Sequence, residues 1–390
     1  PPAFGTGNRC SVRLSYERKT KSPQACSHVG AGMFLRRIHE GQTAEKTALS
    51  SVPFCSSSRR PALVLMPSSA LGGGPVLLDP WSRRGRLPLD GPLERASVGR
   101  ATRSFVTGLL GLAGAFLLFQ FVVTPVLLVA QIALREGGLS MAQLPSPDRL
   151  MTTYTRELVL SNGIGQVVGL AVPGLLAARL HSSDWAGYLR LRGVDGPLLL
   201  LALVGVVGLQ PVTQWLAQVN QQMPLPESLR MIEQSQLDLI RQVLAGQMGL
   251  GFNLVLLALV PGICEEVLFR GYAQRQFERA GGPAVGVLLS GTLFGLYHLR
   301  PSQVLPLVVL GLFMAYLVWR TGSVVPAIAV HIAHNALAVL AARYVQGHPQ
   351  YDLEALAQPV VPGYAVLGGL VIVGGVLYLL HVRAVRLRAP

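Results

Sequence analysis

The sequence predicts an all-α protein, a polytopic bundle of about eight transmembrane helices with one further amphipathic helix at the membrane interface. Of its 390 residues, 51% are hydrophobic and only 13% are charged, whereas a soluble domain usually carries about 25% charged residues. A bilayer core needs about 20 apolar residues per helix, and segments of that length recur from residue 105 onward. These two observations predict a membrane protein.

The first 104 residues have a different composition, rich in Ser, Gly, Pro and Arg and without hydrophobic periodicity. They hold sixteen Lys or Arg against six Asp or Glu, which supplies +10 of the formal net charge of +14. We predict that residues 1–104 are a disordered basic tail or a non-native extension. Because no basic stripe interleaved with aromatic residues follows, nucleic acid is not an expected partner.

The apolar spans follow this tail in an unbroken series. The fifth, 284–299, is short and polar for a helix that faces lipid, which predicts that it is buried inside the bundle. The eight candidate spans are 106–134, 158–179, 197–219, 250–273, 284–299, 303–320, 323–344 and 363–382.

Segment 226–245 has another pattern. Its leucines and isoleucines recur near helical spacing with charged residues between them, which predicts an interfacial amphipathic helix. We therefore divide the membrane region into three parts. These are N-terminal spans with this helix, 105–249, a membrane core, 250–344, that carries the polar residues described next, and a last loop, span and basic C-terminus, 345–390.

Basic residues fix the expected orientation. They precede span one, follow spans two and eight, and lie between spans four and five and between spans six and seven. With eight spans all these positions fall on one side, so both termini are expected in the cytoplasm. Abundant Leu, Ala, Gly and Arg are typical of a GC-rich bacterium, which makes the bacterial inner membrane the expected location.

Span four carries Glu265, Glu266 and Arg270 in an otherwise apolar stretch. A charge at the bilayer centre costs at least about 2.5–3.5 kcal/mol on insertion scales, so such residues need a reason. Glu266 and Arg270 are four residues apart and can pair on one helix face. Glu265 points about 100° away and has no such partner. A structural ion cluster is the alternative to a functional role for the three.

His298 closes span five on the other side of a Gly-Gly-Pro turn. Glu265 lies 17 residues before Gly282, and His298 lies 16 residues after it. If both flanks are antiparallel helices, the constant rise per residue places the two side chains at nearly equal depth. A carboxylate and an imidazole at matched depth can share one water molecule. The alternative is a histidine that only packs.

Span seven holds another polar group, His331, His334 and Asn335. His331 and Asn335 are four apart and project from one face, and His334 could reach the same cavity. Polar residues inside a span indicate function by default, although a hydrogen bond between helices is the alternative. The parts of a hydrolase are therefore present without a Gly-x-Ser-x-Gly elbow, a His-Glu-x-x-His helix or a pair of Asp residues in matching spans.

Three ordered motifs in this region resemble those of the CPBP family, the CAAX proteases and bacteriocin-processing enzymes also called Abi. The resemblance covers about residues 250–340 and does not extend to 1–249. The motif residues are Glu265, Glu266 and Arg270, then Phe294 and His298, then His331 and Asn335.

The resemblance implies an intramembrane endopeptidase in an all-helical bundle. In that case Glu265 activates water with help from His298, while His331 and Asn335 bind the oxyanion or position the water. Glu266 and Arg270 brace the site. The partners are then a peptide or membrane-protein substrate and the lipid bilayer, and the substrate itself stays open between prenylated peptides, bacteriocin leaders and membrane-protein fragments.

Two questions stay open at the level of sequence. Glu265, His298 and His331 form a carboxylate and two-histidine set like that of zinc hydrolases, so the cofactor is either none or a divalent metal such as zinc. Intramembrane Glu and His also occur in proton-coupled transporters, but no inverted repeat is visible. A non-catalytic immunity or scaffold protein with the same fold is the other alternative.

Overall fold

The computed structural model describes residues 76–78, 86–95, 99–138, 145–245, 248–346, 348 and 360–386. These residues belong to one compact unit, residues 60–390. The predicted all-α class is confirmed, with one small antiparallel ribbon of β1 (Val76–Leu78) and β2 (Arg86–Pro88) before the first helix. The first 75 residues lie outside the described part of the chain.

Eleven helices follow the ribbon in the described residues, and several contain wider turns. They are α1 (Arg100–Glu136), α2 (Pro147–Thr152), α3 (Thr155–His181), α4 (Trp185–Tyr188), α5 (Gly196–Gln221), α6 (Glu227–Ala245), α7 (Leu250–Gly281), α8 (Pro283–Tyr297), α9 (Val304–Thr321), α10 (Val325–Gln346) and α11 (Gly363–Arg386).

All eight predicted spans coincide with helices, but only seven of these are long and apolar enough to cross a membrane in the described residues. The eighth, α8, has 15 residues and is about 22 Å long at the usual rise. The predicted burial of α8 holds for one face only. Gly291 and Phe294 are buried, whereas Leu288 is 57% exposed.

Proline explains most of the irregular turns. Three π-helical turns, Leu118–Val123, Val167–Ala171 and Val255–Leu259, each lie just before a proline, at positions 125, 173 and 261. Proline has no N–H to donate and its ring clashes with the carbonyl four residues earlier, so the preceding turn opens. A fourth such turn, Val267–Ala273, follows Glu266 with no proline behind it.

Helix α7 lies at the centre of the bundle. It packs against α1, α3, α8 and α10, while α5 joins α9, α10 and α11 on the other side. Its buried aromatic residues Phe269 and Phe277 belong to a continuous apolar core that also includes Phe294 of α8. The position of α7 therefore places its polar residues inside the bundle rather than against lipid.

The contact between α8 and α9 depends on glycine. A Cβ atom added at Gly291 would lie 2.7 Å from the backbone nitrogen of Leu312, and one added at Gly311 would lie 2.5 Å from the carbonyl oxygen of Gly291. Real side chains do not approach backbone atoms that closely. The absence of side chains lets the two backbones meet, as is usual for membrane helices.

The predicted disordered tail, 1–104, is wrong for its last part. Residues 86–95 are ordered and pack on the bundle, with Leu87 and Leu89 almost completely buried. Glu94 binds Arg279 of α7 at 2.8 Å and His181 of α3 at 2.6 Å. Sequence periodicity missed this segment because only a few apolar residues and one acidic residue hold it, too few to form a recurring pattern.

The predicted amphipathic segment is confirmed as a helix, α6. It packs against α2, α3 and α10. Glu233 of α6 accepts a hydrogen bond from the backbone nitrogen of Ser302, just before α9. The helix therefore lies across the ends of several spans, and its place at the membrane interface remains a prediction.

Candidate active site

A cavity of about 220 Å³ lies between α1, α3, α7 and α8. Both polar and apolar side chains form its wall. The lining residues are Phe116, Phe119 and Gln120 of α1, Asn162, Gln166 and Leu170 of α3, Glu265 of α7, Tyr297 of α8, and His298 and Leu299 just beyond it. A space of this size, with several polar groups, can hold water molecules and part of a larger ligand.

The predicted pair of Glu265 and His298 meets in this cavity. Oε2 of Glu265 lies 3.8 Å from Nε2 of His298. The Gly281–Gly282–Pro283 turn reverses the chain between α7 and α8, so equal spacing from the turn brings the two residues to the same depth. Nδ1 of His298 lies 2.8 Å from the carbonyl oxygen of Phe294. This contact orients Nε2 towards the carboxylate.

The two neighbouring glutamates face different surroundings. The side chain of Glu265 is 12% exposed in the cavity wall, whereas that of Glu266 is 0% exposed. Consecutive residues of a helix point about 100° apart, so only one of them can face the cavity. Only Glu265 can therefore meet a water molecule that enters it.

Glu266 belongs to a buried ionic network behind the cavity. Nη1 of Arg270 donates to Oε1 of Glu266 at 2.6 Å, and Nδ1 of His331 lies 2.9 Å from the same oxygen. Nη2 of Arg270 donates to the carbonyl oxygen of Gly311 at 3.0 Å. The predicted pairing of Glu266 with Arg270 is confirmed, and it links α7 to both α9 and α10.

Phe294 connects this network with the cavity. Its ring lies edge-on to His298 at 4.8 Å and to His331 at 5.4 Å. The guanidinium of Arg270 lies 4.2 Å from the ring centroid, a distance that allows a cation–π interaction. The ring therefore packs against both histidines and helps to fix their positions.

The polar residues of α10 are placed differently from the prediction. His331 contacts Glu266 rather than the cavity, and Nδ2 of Asn335 donates to the carbonyl oxygen of Leu257 at 3.2 Å. Nδ1 of His334 lies 3.1 Å from Gln210 of α5. Neither His331, His334 nor Asn335 lines the cavity. Residue spacing indicated which side chains share a face of α10 but not how that helix is rotated against its neighbours.

The predicted metal ligands do not come together. The described residues contain no group of three or more His, Cys, Asp or Glu side chains that could hold a metal ion. Glu265 and His298 share the cavity, whereas His331 does not line it and its Nδ1 lies 2.9 Å from Glu266. The three residues therefore do not fit a zinc site in this arrangement.

Sequence reasoning missed the polar residues on the opposite wall. Asn162 and Gln166 are one helical turn apart on α3, and Gln120 lies nearby on α1. Amide side chains in an apolar span are the same signal that marked α10. That signal was present in the sequence of α3. Tyr297, adjacent to His298, was also overlooked.

Comparisons with known proteins agree with the motifs. Residues 248–337 match the family described as Type II CAAX prenyl endopeptidase Rce1-like. This match confirms the resemblance to CAAX proteases for the segment that contains Glu265 and His298. No curated protein and no solved structure matched the chain significantly. Together with the seven long apolar helices in the described residues, the match indicates an integral membrane protein in which residues 248–337 are similar to a peptidase family.

Proposed function

We propose, from the premise that residues 248–337 form a domain of the CAAX-type peptidase family, that this chain is an intramembrane endopeptidase that works by glutamate-activated water. The observation that carries the proposal is the 3.8 Å approach of Glu265 to His298 in the wall of one cavity. The substrate is a peptide or a membrane-protein segment that enters the bundle.

The reaction follows from these two side chains. The carboxylate of Glu265 takes a proton from a water molecule, and the resulting hydroxide adds to the carbonyl carbon of the substrate. The carbonyl electron pair moves onto oxygen and gives a tetrahedral oxyanion. When the oxyanion collapses, the C–N bond breaks and the amine leaves with the proton held by Glu265. The products are a new carboxyl group and a new amine, with no covalent enzyme intermediate.

His298 has a positioning role in this scheme. Its Nε2 faces Glu265, and its Nδ1 is held by the carbonyl oxygen of Phe294. A fixed imidazole beside the carboxylate can hold the attacking water in line with the carbonyl carbon. Alignment of this kind accounts for a large part of enzymatic rate acceleration.

Glu266, Arg270 and His331 support the site from behind. The network that they form ties α7 to α9 and α10, which keeps the exposed face of α7 towards the cavity. A supporting shell of this kind is what holds a reactive group within a fraction of an ångström of its working position. Asn335 has the same supporting character through its bond to the backbone of α7.

Turnover by purified protein tests the proposal. Wild-type protein in lipid vesicles is mixed with peptides that carry or lack a prenyl group, and the products are identified by mass spectrometry. Glu265→Gln keeps the shape of the side chain but removes the base, so turnover should fall about 100-fold or more. Glu227→Gln, on the exposed surface of α6, serves as the control with unchanged turnover.

The same assay separates the alternatives. Full turnover after treatment with strong chelators is expected for water activated by glutamate alone. Loss of turnover that returns with zinc would instead favour the metal version. A wild-type chain that cleaves no peptide, or a Glu265→Gln variant as active as wild type, would contradict the proposed protease and favour a scaffold or transport role.

A further inference from the structure

Three buried polar atoms of the cavity wall have no hydrogen-bond partner. They are Oε1 of Gln166, Oε2 of Glu265 and the hydroxyl of Tyr297, and all three residues line the same cavity. A buried polar atom without a partner is rare in a native protein and costs free energy. Because these three surround one space, a single polar ligand placed there can complete their hydrogen bonds.

The hydroxyl of Tyr297 is held in a fixed place. The tyrosine ring lies between Phe116 of α1 and Phe269 of α7, with both ring centroids 4.9 Å away and both rings edge-on. Such contacts restrain the ring on both sides. Glu265 is near enough to act on this hydroxyl electrostatically. The hydroxyl is therefore a preorganised donor beside the proposed base.

Gln166 presents an acceptor from the opposite wall. Its amide nitrogen donates to Oδ1 of Asn162 at 2.9 Å, which leaves the amide oxygen as the unpaired end. The residue is only 8% exposed. Because Asn162 fixes the nitrogen, the oxygen cannot exchange places with it without losing that bond.

A peptide group matches these atoms. It offers one carbonyl acceptor and one N–H donor, while the three unpaired buried atoms supply one hydroxyl donor, one neutral acceptor and one carboxylate oxygen. His331 and Asn335, which the sequence pointed to as oxyanion donors, contact Glu266 and Leu257 instead. The Tyr297 hydroxyl is a donor that the cavity wall itself supplies.

We propose that Tyr297 and Gln166 bind the backbone of the peptide substrate in this cavity. The Tyr297 hydroxyl donates to the scissile carbonyl oxygen, and Oε1 of Gln166 accepts from a neighbouring peptide N–H. Tyr297 keeps its proton throughout, and its hydrogen bond strengthens as negative charge develops on the oxygen. The inference rests on the proposed protease function and deepens it by naming how the substrate backbone is held.

Tyr297→Phe tests the donor. The variant keeps the ring between Phe116 and Phe269 and removes only the hydroxyl, so folding should be unchanged. Loss of one oxyanion donor typically lowers kcat by about 100- to 1,000-fold, and KM should change little. Tyr316→Phe is the matched control, because Tyr316 of α9 packs on Trp319 and does not line the cavity.

Gln166→Met tests the acceptor. Methionine has a similar length without the amide, so the variant should raise KM about tenfold, the scale of one neutral hydrogen bond, and leave kcat within a few-fold. Gln210→Met is the control, because Gln210 also donates to a neighbour but lies outside the cavity. Tyr297→Phe should thus change mainly kcat, and Gln166→Met mainly KM. A merely structural role of the two residues would not produce this difference.

The outcomes distinguish failure of the proposed backbone binding from failure of the proposed protease mechanism. If Glu265→Gln is inactive while folded Tyr297→Phe and Gln166→Met keep wild-type kcat and KM, the backbone-binding inference is overturned and the protease function stands. If Glu265→Gln is itself fully active, the protease mechanism fails. Equal losses in the two cavity variants and their two controls would also overturn the inference, since a general loss of packing would explain them.

Discussion

At the scale of single residues, the two adjacent glutamates of α7 point in different directions and have different surroundings. Glu265 reaches the cavity, and Glu266 lies against Arg270 and His331 with no exposed surface. The carboxylate of Glu266 is held in place by its two partners. The carboxylate of Glu265, in the cavity wall, is able to exchange protons with water. The local environment, not the residue type, is the basis for the different roles that we propose for the two glutamates.

Glu266→Gln should therefore act on stability rather than on the chemical step. Removing one partner of a buried ion pair leaves Arg270 uncompensated in an apolar setting, which costs about 3–5 kcal/mol. Thermal unfolding in detergent should show a marked drop in midpoint, while turnover per folded molecule stays much closer to wild type than in Glu265→Gln. An unchanged midpoint would show that the network does not support the bundle.

The proximity of Glu265 and His298 could be predicted from the sequence. Two residues equally far from a turn between antiparallel helices lie at the same depth, so counting residues was enough. The contacts of His331 and Asn335 could not be predicted in this way, because counting residues gives no information about the rotation of α10 relative to α7. The sequence was also insufficient for Tyr297 and Gln166, which contribute to the site through packing partners on α1 and α7 and through Asn162.

At the scale of helices, opened turns recur in every long helix that supplies the cavity wall. Helices α1, α3 and α7 each contain a π-helical turn, and Phe119, Gln120 and Leu170 lie within such turns. Turns of this kind are common at functional sites because they displace side chains from regular helical positions. The prolines behind them were visible in the sequence, but the direction in which each turn opens depends on the neighbouring helices.

Replacement of Gly291 by alanine, at the contact of α8 with α9, should destabilise the folded protein. In Gly291→Ala the new methyl group meets the backbone of Leu312, which cannot move aside, so overpacking should cost about 1–3 kcal/mol. Gly114→Ala is the matched control, since no atom lies within 4 Å of its added Cβ. Thermal unfolding of both variants provides the measurement. Equal stability of the two would show that α8 and α9 are not packed through Gly291.

At the scale of the whole molecule, arginines gather at one end of the bundle. Arg190 pairs with Glu278, Arg192 with the carbonyl oxygen of Gly322, and Arg383 with Asp195. The positive-inside rule then predicts that this end faces the cytoplasm. The spans could be located from composition, and the sequence already showed that the fifth span, α8 in the structure, is short.

Cysteine labelling in inverted membrane vesicles and in intact cells checks this orientation. In a chain whose own cysteines are replaced by serine, Gly193→Cys should react from the cytoplasmic side and Gln234→Cys from the opposite side. Both positions are exposed. The reverse pattern of labelling would refute the assignment of both termini to the cytoplasm.

The docking of residues 86–95 should depend on pH through Glu94. Burial of Glu94 opposes its ionisation, but His181 and Arg279 outweigh burial and hold the pKa of this carboxyl below its usual range. A lowered folded-state pKa stabilises the protein above the unfolded value, about 4.3, and this stability is lost as the pH falls through the folded value. Wild type should therefore exceed Glu94→Gln in thermal stability at pH 7, with the gap closing below pH 4. A gap independent of pH would contradict this account.

The most direct test of the central claim is a double-mutant cycle on turnover with Glu265→Gln, His298→Gln and the double variant. If the two residues activate one water molecule as a unit, each single variant should lose about 100-fold or more, and the double variant should lose little beyond the worse single variant. Folded yield is measured for all three. Losses that multiply in the double variant, or a single variant that stays fully active, would contradict the shared-water mechanism.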